Sequence, residues 1–229
     1  VSHELRTPLT VIKGNVGLMH IMQAFDKEAL TSIESEVDRL TRLVGDLLLI
    51  SPAASGRWPC RLGRGGIDAL LFEVFEEMNV LSGATHKIRI ENIEPAIVTG
   101  DRDRLKQVFL NLGSNAINYT PEGNSILLSL FVKGFWVQIN FKDEGIGIPK
   151  DEVNRLFERF YRGDKSRTRK IKSSGFGLGL PIAYWIVRSH GGRIDVETAV
   201  GEGAIFSVWL PLSQADIPTR PMDQEEEVM

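Results

Sequence analysis

The sequence predicts an α+β protein: a helical hairpin, which forms a four-helix bundle in the dimer, followed by an α/β sandwich with a mixed sheet and helices on one face. Three patterns predict it. Apolar residues step by three and four through residues 9–47, glycine and proline crowd residues 52–66, and helical and alternating segments then take turns to residue 210.

Leu9, Ile12, Val16 and Met19 mark the first helix, and Ile33, Val37, Leu40, Val44 and Leu47 mark the second, after a break at 23–28. Two narrow stripes cannot enclose a core alone, so the hairpin is expected to pair with a second copy as a homodimer. The competing expectation is that it packs on the rest of its own chain. Beyond Pro52, Gly56, Pro59, Gly63, Gly65 and Gly66, helices are expected at 67–78, 101–118 and 178–190, and strands at 87–93, 125–132, 135–141, 193–198 and 204–210. The Lys133-Gly134 connection predicts a strand hairpin. The domains are therefore read as 1–56 (hairpin), 57–66 (linker), 67–213 (sandwich) and 214–229, a tail with five acids against Arg220 that is expected to be disordered.

With 42 % hydrophobic and 25 % charged residues among 229, the composition is that of a soluble globular protein. A net charge of −3 argues against a nucleic-acid partner. The local exception is 162–172, where Arg162, Lys165, Arg167, Arg169, Lys170 and Lys172 face only Asp164. Cys60 is the single cysteine, which excludes an intramolecular disulfide and a multi-cysteine metal site and favours a reducing compartment. No apolar run approaches the roughly 18 residues a membrane span requires. The chain opens inside a helix without an initiator methionine, so it reads as a fragment.

Three constellations carry chemistry. In "DRDRLKQVFLNLGSNAINYT", Leu105, Val108, Leu112 and Ala116 form an apolar stripe while Asn111, Asn115 and Asn118 fall on another face. Three helical asparagines sacrifice on the order of 2 kcal/mol of propensity, and their amide oxygens suit Mg²⁺ beside phosphates. In "WVQINFKDEGIGIP", Val137, Ile139 and Phe141 alternate with polar residues, so Asp143 falls on the apolar face. There it needs donor partners to stay charged, and it can accept from an exocyclic amine such as that of adenine. Gly145 and Gly147 follow, allowing backbone to approach a flat or phosphorylated ligand. In "GFGLGLPIAYWIVRSHGG", Gly175, Gly177, Leu178 and Gly179 lead into a helix whose free amides make an anion site. Neither glycine cluster fits a dinucleotide fingerprint or a Walker A loop.

Together these segments resemble the catalytic core of a bacterial sensor histidine kinase. "SHELRTPL" resembles the phosphoacceptor H-box, "NLGSNAINYT" the N-box, "DEGIGIP" the first glycine box, "FERFYR" the F-box, "GFGLGL" the second glycine box and "GEGAIFSVWLPL" the terminal strand region, in family order over residues 1–213. The resemblance implies a dimerisation and phosphotransfer hairpin and an ATP-binding domain of the Bergerat type, with ATP and Mg²⁺ as cofactors. It implies that His3 is the phosphoacceptor, Glu4 steers its imidazole, and Thr7 serves phosphatase activity on the partner. It further implies that Asn115 ligates Mg²⁺ with Asn111 beside it, Asp143 binds adenine and Tyr119 lines the pocket. Arg162 would face the triphosphate, with Gly175, Gly177 and Gly179 at the phosphates beneath a mobile lid of about residues 163–174.

Asn118 departs from the family, which commonly has a base there. The implied partner is a response-regulator receiver domain, and the implied location is the cytoplasmic portion of a sensor anchored in a membrane through a segment upstream of Val1. Pro8 removes the helical partner of the Glu4 carbonyl and disfavours a straight helix beside His3. His20, His86 and His190 are read as structural, the last favoured by the dipole at a helix end. Two rivals stay open at this point: a nucleotide-binding signalling module acting by conformation, and a Bergerat ATPase transferring phosphoryl to water. H-E-x-x-T at 3–7 lacks the second histidine of a zinc protease.

Overall fold

A computed structural model describes residues 2–23, 25–53, 61–163 and 176–213; the side chains at 2–4, 42, 46 and 48–53 fall outside that description. The Gly175 and Cys60 readings, most of the basic run and the acidic tail therefore lie outside the described residues, as do the side chains of His3 and Glu4.

The hairpin consists of α1 (Ser2–Met22) and α2 (Lys27–Ala53). Asp26 starts α2 as its cap, its Oδ1 accepting from the N–H groups of Glu28 (2.9 Å) and Ala29 (3.2 Å). The first helix runs from Ser2 to Met22 with Pro8 inside it. Both expectations for the hairpin's apolar surface find a counterpart. Leu43 is fully buried in the core it shares with the following domain, and the Arg39 guanidinium lies 4.6 Å from the centroid of Phe176. Leu9, Val16, Val37 and Val44, spaced by seven in each helix, remain about half exposed (54 %, 50 %, 47 % and 48 %).

The second unit follows the order β1 (Gly63–Gly66), α3 (Ile67–Ser82), β2 (Lys87–Ile93), β3 (Ile97–Gly100), α4 (Arg102–Tyr119), β4 (Ser125–Lys133), β5 (Trp136–Asp143), α5 (Lys150–Val153), α6 (Gly179–Ser189), β6 (Arg193–Thr198) and β7 (Ala204–Pro211). Its main sheet has the order β2-β4-β5-β7-β6; β2 and β4 are parallel and the other pairs antiparallel, which makes it mixed. One face carries Ile126, Leu128, Val137, Ile139, Phe141 and Val208, all buried among residues of α3, α4 and α6. Phe109 of α4 meets Phe141 with ring centroids 5.9 Å apart. On the outer face a polar ladder crosses three strands: the Ser207 hydroxyl donates to Asn140 Oδ1 (2.8 Å), and Asn140 Nδ2 donates to Ser129 Oγ (3.1 Å).

Two short strands differ from the sequence reading. Gly63–Gly66, assigned by composition to the linker, pairs antiparallel with Ile97–Gly100 as a separate two-stranded sheet. His190 closes α6 and serves the fold, as its place in the sequence suggests. It is buried, its Nδ1–H donates to the Ile186 carbonyl (2.7 Å), and its Nε2 accepts from the Asp101 N–H (2.9 Å). The ring thereby clasps the end of α6 to the start of α4 by hydrogen bonds.

Candidate functional site

β5 ends on the apolar face of the sheet, so its alternation delivers Asp143 inward, only 6 % exposed. Two backbone groups meet the same oxygen: Oδ1 accepts from Gly145 N–H (2.8 Å) and from Ala204 N–H (3.2 Å). Among the described residues nothing donates to Oδ2. Burial pushes the carboxyl up from 3.8 to about 6, against the opposing pull of those two N–H groups. The result is a side chain fixed by one oxygen with the other left as an acceptor.

That side chain lines a cavity of about 110 Å³ together with Asn115, Tyr119, Gly147, Ile148 and Arg162. These residues come from α4, the end of β5, the loop after it and the segment beyond α5. Four of the residues singled out in the sequence therefore converge with Asn115: Tyr119, Asp143, Gly147 and Arg162 share its wall. The amide of Asn115 has no hydrogen-bond partner among the described residues, whereas Asn111 Nδ2 donates to the Gly179 carbonyl (3.1 Å) and thereby joins α4 to the start of α6. Asn118 is exposed and does not reach the wall.

The glycines act chiefly within the protein. At Gly147, with φ +64°, a Cβ would lie 1.9 Å from the Ala199 carbonyl oxygen; at Gly145 it would lie 2.5 Å from Asp143 Oδ1 and 2.6 Å from the Tyr119 carbonyl oxygen. Only bare backbone lets this loop pass between α4 and the β6–β7 connection. Gly177 (φ +71°) meets the Phe160-Tyr161 backbone in the same way, with the Phe160 N–H donating to its carbonyl (3.0 Å). Phe160 itself takes φ +63°, a left-handed conformation that costs of order 1–3 kcal/mol in a non-glycine residue. Leu178 is buried as the N-cap residue of α6, and no side chain caps that first turn. Gly145, Gly177, Leu178 and Gly179 do not line the cavity. Thr7 is exposed on α1.

Sequence reasoning overlooked several wall residues, among them Ile146, Glu152, Tyr161, Ala204 and Phe206. A usable signal existed for two of them. Asp143 pairs with Ala204, and alternation along β7 puts Phe206 on the same face.

A five-stranded mixed sheet backed by helices on one face, with a cavity at the end of its central strand and a helical hairpin before it, defines an α/β sandwich of the Bergerat type joined to a two-helix module. The family described as "Histidine kinase-, DNA gyrase B-, and HSP90-like ATPase" matches residues 100–214, and the "His Kinase A (phospho-acceptor) domain" matches residues 1–56. The signal transduction histidine-protein kinase BaeS of Escherichia coli (strain K12) is 37 % identical over 220 residues, covering 93 % of this chain and 46 % of BaeS. The histidine kinase AdeS of Acinetobacter baumannii is similar in structure, with a TM-score of 0.75 at 25 % identity over 92 % of this chain and 98 % of that one. A crystal structure of the histidine kinase ThkA in complex with the response regulator protein TrrA gives a TM-score of 0.70 at 27 % identity, over 94 % of this chain and 61 % of that one. The chain belongs to the bacterial sensor histidine kinases, as a catalytic core of that family. It spans less than half the length of BaeS and of the sensor histidine kinase WalK of Bacillus subtilis (strain 168), of which it covers 36 %. Among the described residues no helix is long and apolar enough to cross a membrane.

Proposed function

We propose that the chain phosphorylates itself on His3 with ATP bound in the cavity beside Asp143, and passes the phosphoryl group to an aspartate of a response-regulator receiver domain. The observation that carries this reading is the unclaimed Oδ2 of a buried aspartate on the cavity wall, an acceptor suited to the exocyclic amine of adenine. Phosphatase activity on the same partner, with Thr7 as its residue, belongs to the proposal, as do the homodimer and a cytoplasmic position below a membrane anchor.

The residues present fit the metal that the family implies. Among the described residues no cluster of three or more acidic, histidine or cysteine side chains could hold an ion. A single free amide at Asn115 suits Mg²⁺, which usually keeps its waters and takes one or two protein ligands beside substrate phosphates. When bound, the ion would neutralise charge on the triphosphate.

The remaining steps belong to the chain's own groups. Asp143 accepts from the base, Tyr119 and Ile148 enclose it, and Arg162 with the uncapped first turn of α6 faces the phosphates. His3 would attack with the lone pair of one ring nitrogen, and Glu4 has the role of steering its imidazole that the resemblance implies. The N–P bond forms as the bond to the leaving ADP oxygen breaks. Incubation with γ-labelled ATP and Mg²⁺ tests the reading. An acid-labile, base-stable label is expected, absent in His3→Gln. Label released only as inorganic phosphate would instead identify an ATPase, and no nucleotide affinity at all would remove the assignment.

A further inference from the structure

Tyr161 is held from two sides by one short stretch of chain. Its hydroxyl donates to the Glu152 carboxylate, and the Arg155 guanidinium lies over its ring, 4.4 Å from the centroid. Glu152 and Arg155 share a turn closed by the Arg155 N–H donating to the Glu152 carbonyl (2.9 Å), so both side chains project to the same side. Glu152 reaches one residue further as well: its Oε2 stands 3.2 Å from where a Cβ on Gly163 would be. On the backbone side, the left-handed Phe160 is fixed by its bond to Gly177. Glu152, Tyr161, Arg162 and Gly163 all line the cavity.

The transfer proposed above gives Glu152 nothing to do. An acid beside a triphosphate is repelled by it, so its place on this wall calls for a reason other than contact with phosphate. We propose that Glu152 and Arg155 are positioning residues that fix Tyr161 and, through the chain, hold Arg162 at the cavity wall before nucleotide arrives. The proposal rests on the reading of this cavity as the nucleotide site. Binding then avoids the entropy of immobilising that segment, which is how preorganisation raises affinity.

The test compares wild type, Glu152→Gln, Glu152→Ala, Tyr161→Phe and the Glu152→Ala/Tyr161→Phe double variant of the whole chain. Their affinity for ATP with Mg²⁺ is measured by calorimetry, and KM and kcat by autophosphorylation. Losing one orienting hydrogen bond should weaken ATP binding and raise KM by about threefold to tenfold in Glu152→Ala and in Tyr161→Phe, with kcat falling less than twofold. The double variant should lose no more than either single one, because both remove the same bond. Glu152→Gln, which keeps an acceptor, should stay within about twofold of wild type. Wild-type affinity in Glu152→Ala, additive losses in the double variant, or a kcat loss as large as the KM change would each overturn the proposal. If Glu152→Ala fails to fold, Tyr161→Phe against Glu152→Gln decides it. Absence of ATP binding in the wild type would instead overturn the reading of the site.

Discussion

Replacing Asp143 by asparagine should stabilise the nucleotide-free protein while weakening its hold on ATP. The carboxyl moves from an ordinary 3.8 to about 6 because burial disfavours its charge. At roughly 1.36 kcal/mol per tenfold change in proton affinity, the charged aspartate costs the fold about 3 kcal/mol at neutral pH. The sign follows from linkage: the native state binds the proton more tightly, so the stability contributed by this group is complete below 3.8 and is lost as pH rises through about 6. An asparagine keeps an oxygen for the Gly145 and Ala204 N–H groups and carries no charge, so it removes the cost. Thermal melts of nucleotide-free wild type and Asp143→Asn between pH 4 and 8 check this. At about 2–4 °C per kcal/mol for a domain of this size, the variant should melt some 6–12 °C higher at pH 7.5. The two proteins should converge as pH falls to about 4. Equal melting temperatures at pH 7.5, or a gain that persists undiminished at pH 4, would refute the reasoning. ATP affinity of the wild type should decline below about pH 6, where Oδ2 acquires a proton and ceases to accept.

Gly147→Ala places a Cβ against the Ala199 carbonyl in a left-handed backbone, and should destabilise the domain by at least about 2 kcal/mol in urea titrations. Val16→Glu combined with Val37→Glu sets charges on the exposed heptad positions of the hairpin, so light scattering should report a monomer; a persistent dimer would move the interface elsewhere. Thr7→Ala should leave labelling of His3 intact while slowing dephosphorylation of the receiver partner; equal loss of both activities would contradict the role proposed for Thr7.

Period-two alternation made the inward position of Asp143 readable, because one face of β5 is apolar at every alternate residue from Val137 onward. The strands β2 and β6 were readable for similar reasons. The ribbon of β1 and β3 was not, since a four-residue Gly-Arg-Gly-Gly segment has no side-chain pattern, and its pairing joins residues more than thirty positions apart. The asparagine face was legible as an oddity but not in its division of labour. Whether an amide binds a ligand or a neighbouring carbonyl depends on what packs beside it, and for Asn111 that neighbour is Gly179, from a distant part of the chain. For the first glycine loop, the backbone its glycines pass, at Ala199 and Tyr119, was not legible for the same reason.

The Asp101 carboxylate accepts from the N–H of Arg61 (2.9 Å) as well as from that of Arg104 (3.2 Å). Burial works to raise its pKa, but those two bonds outweigh it and keep the group ionised more readily than an ordinary aspartate. The chain leaving the hairpin is thus moored at Arg61 to the first turn of the helix that carries Asn115, with His190 bracing the same knot from behind. A pull on the backbone at Arg61 would therefore load the helix that carries Asn115 at its first turn, away from the cavity wall.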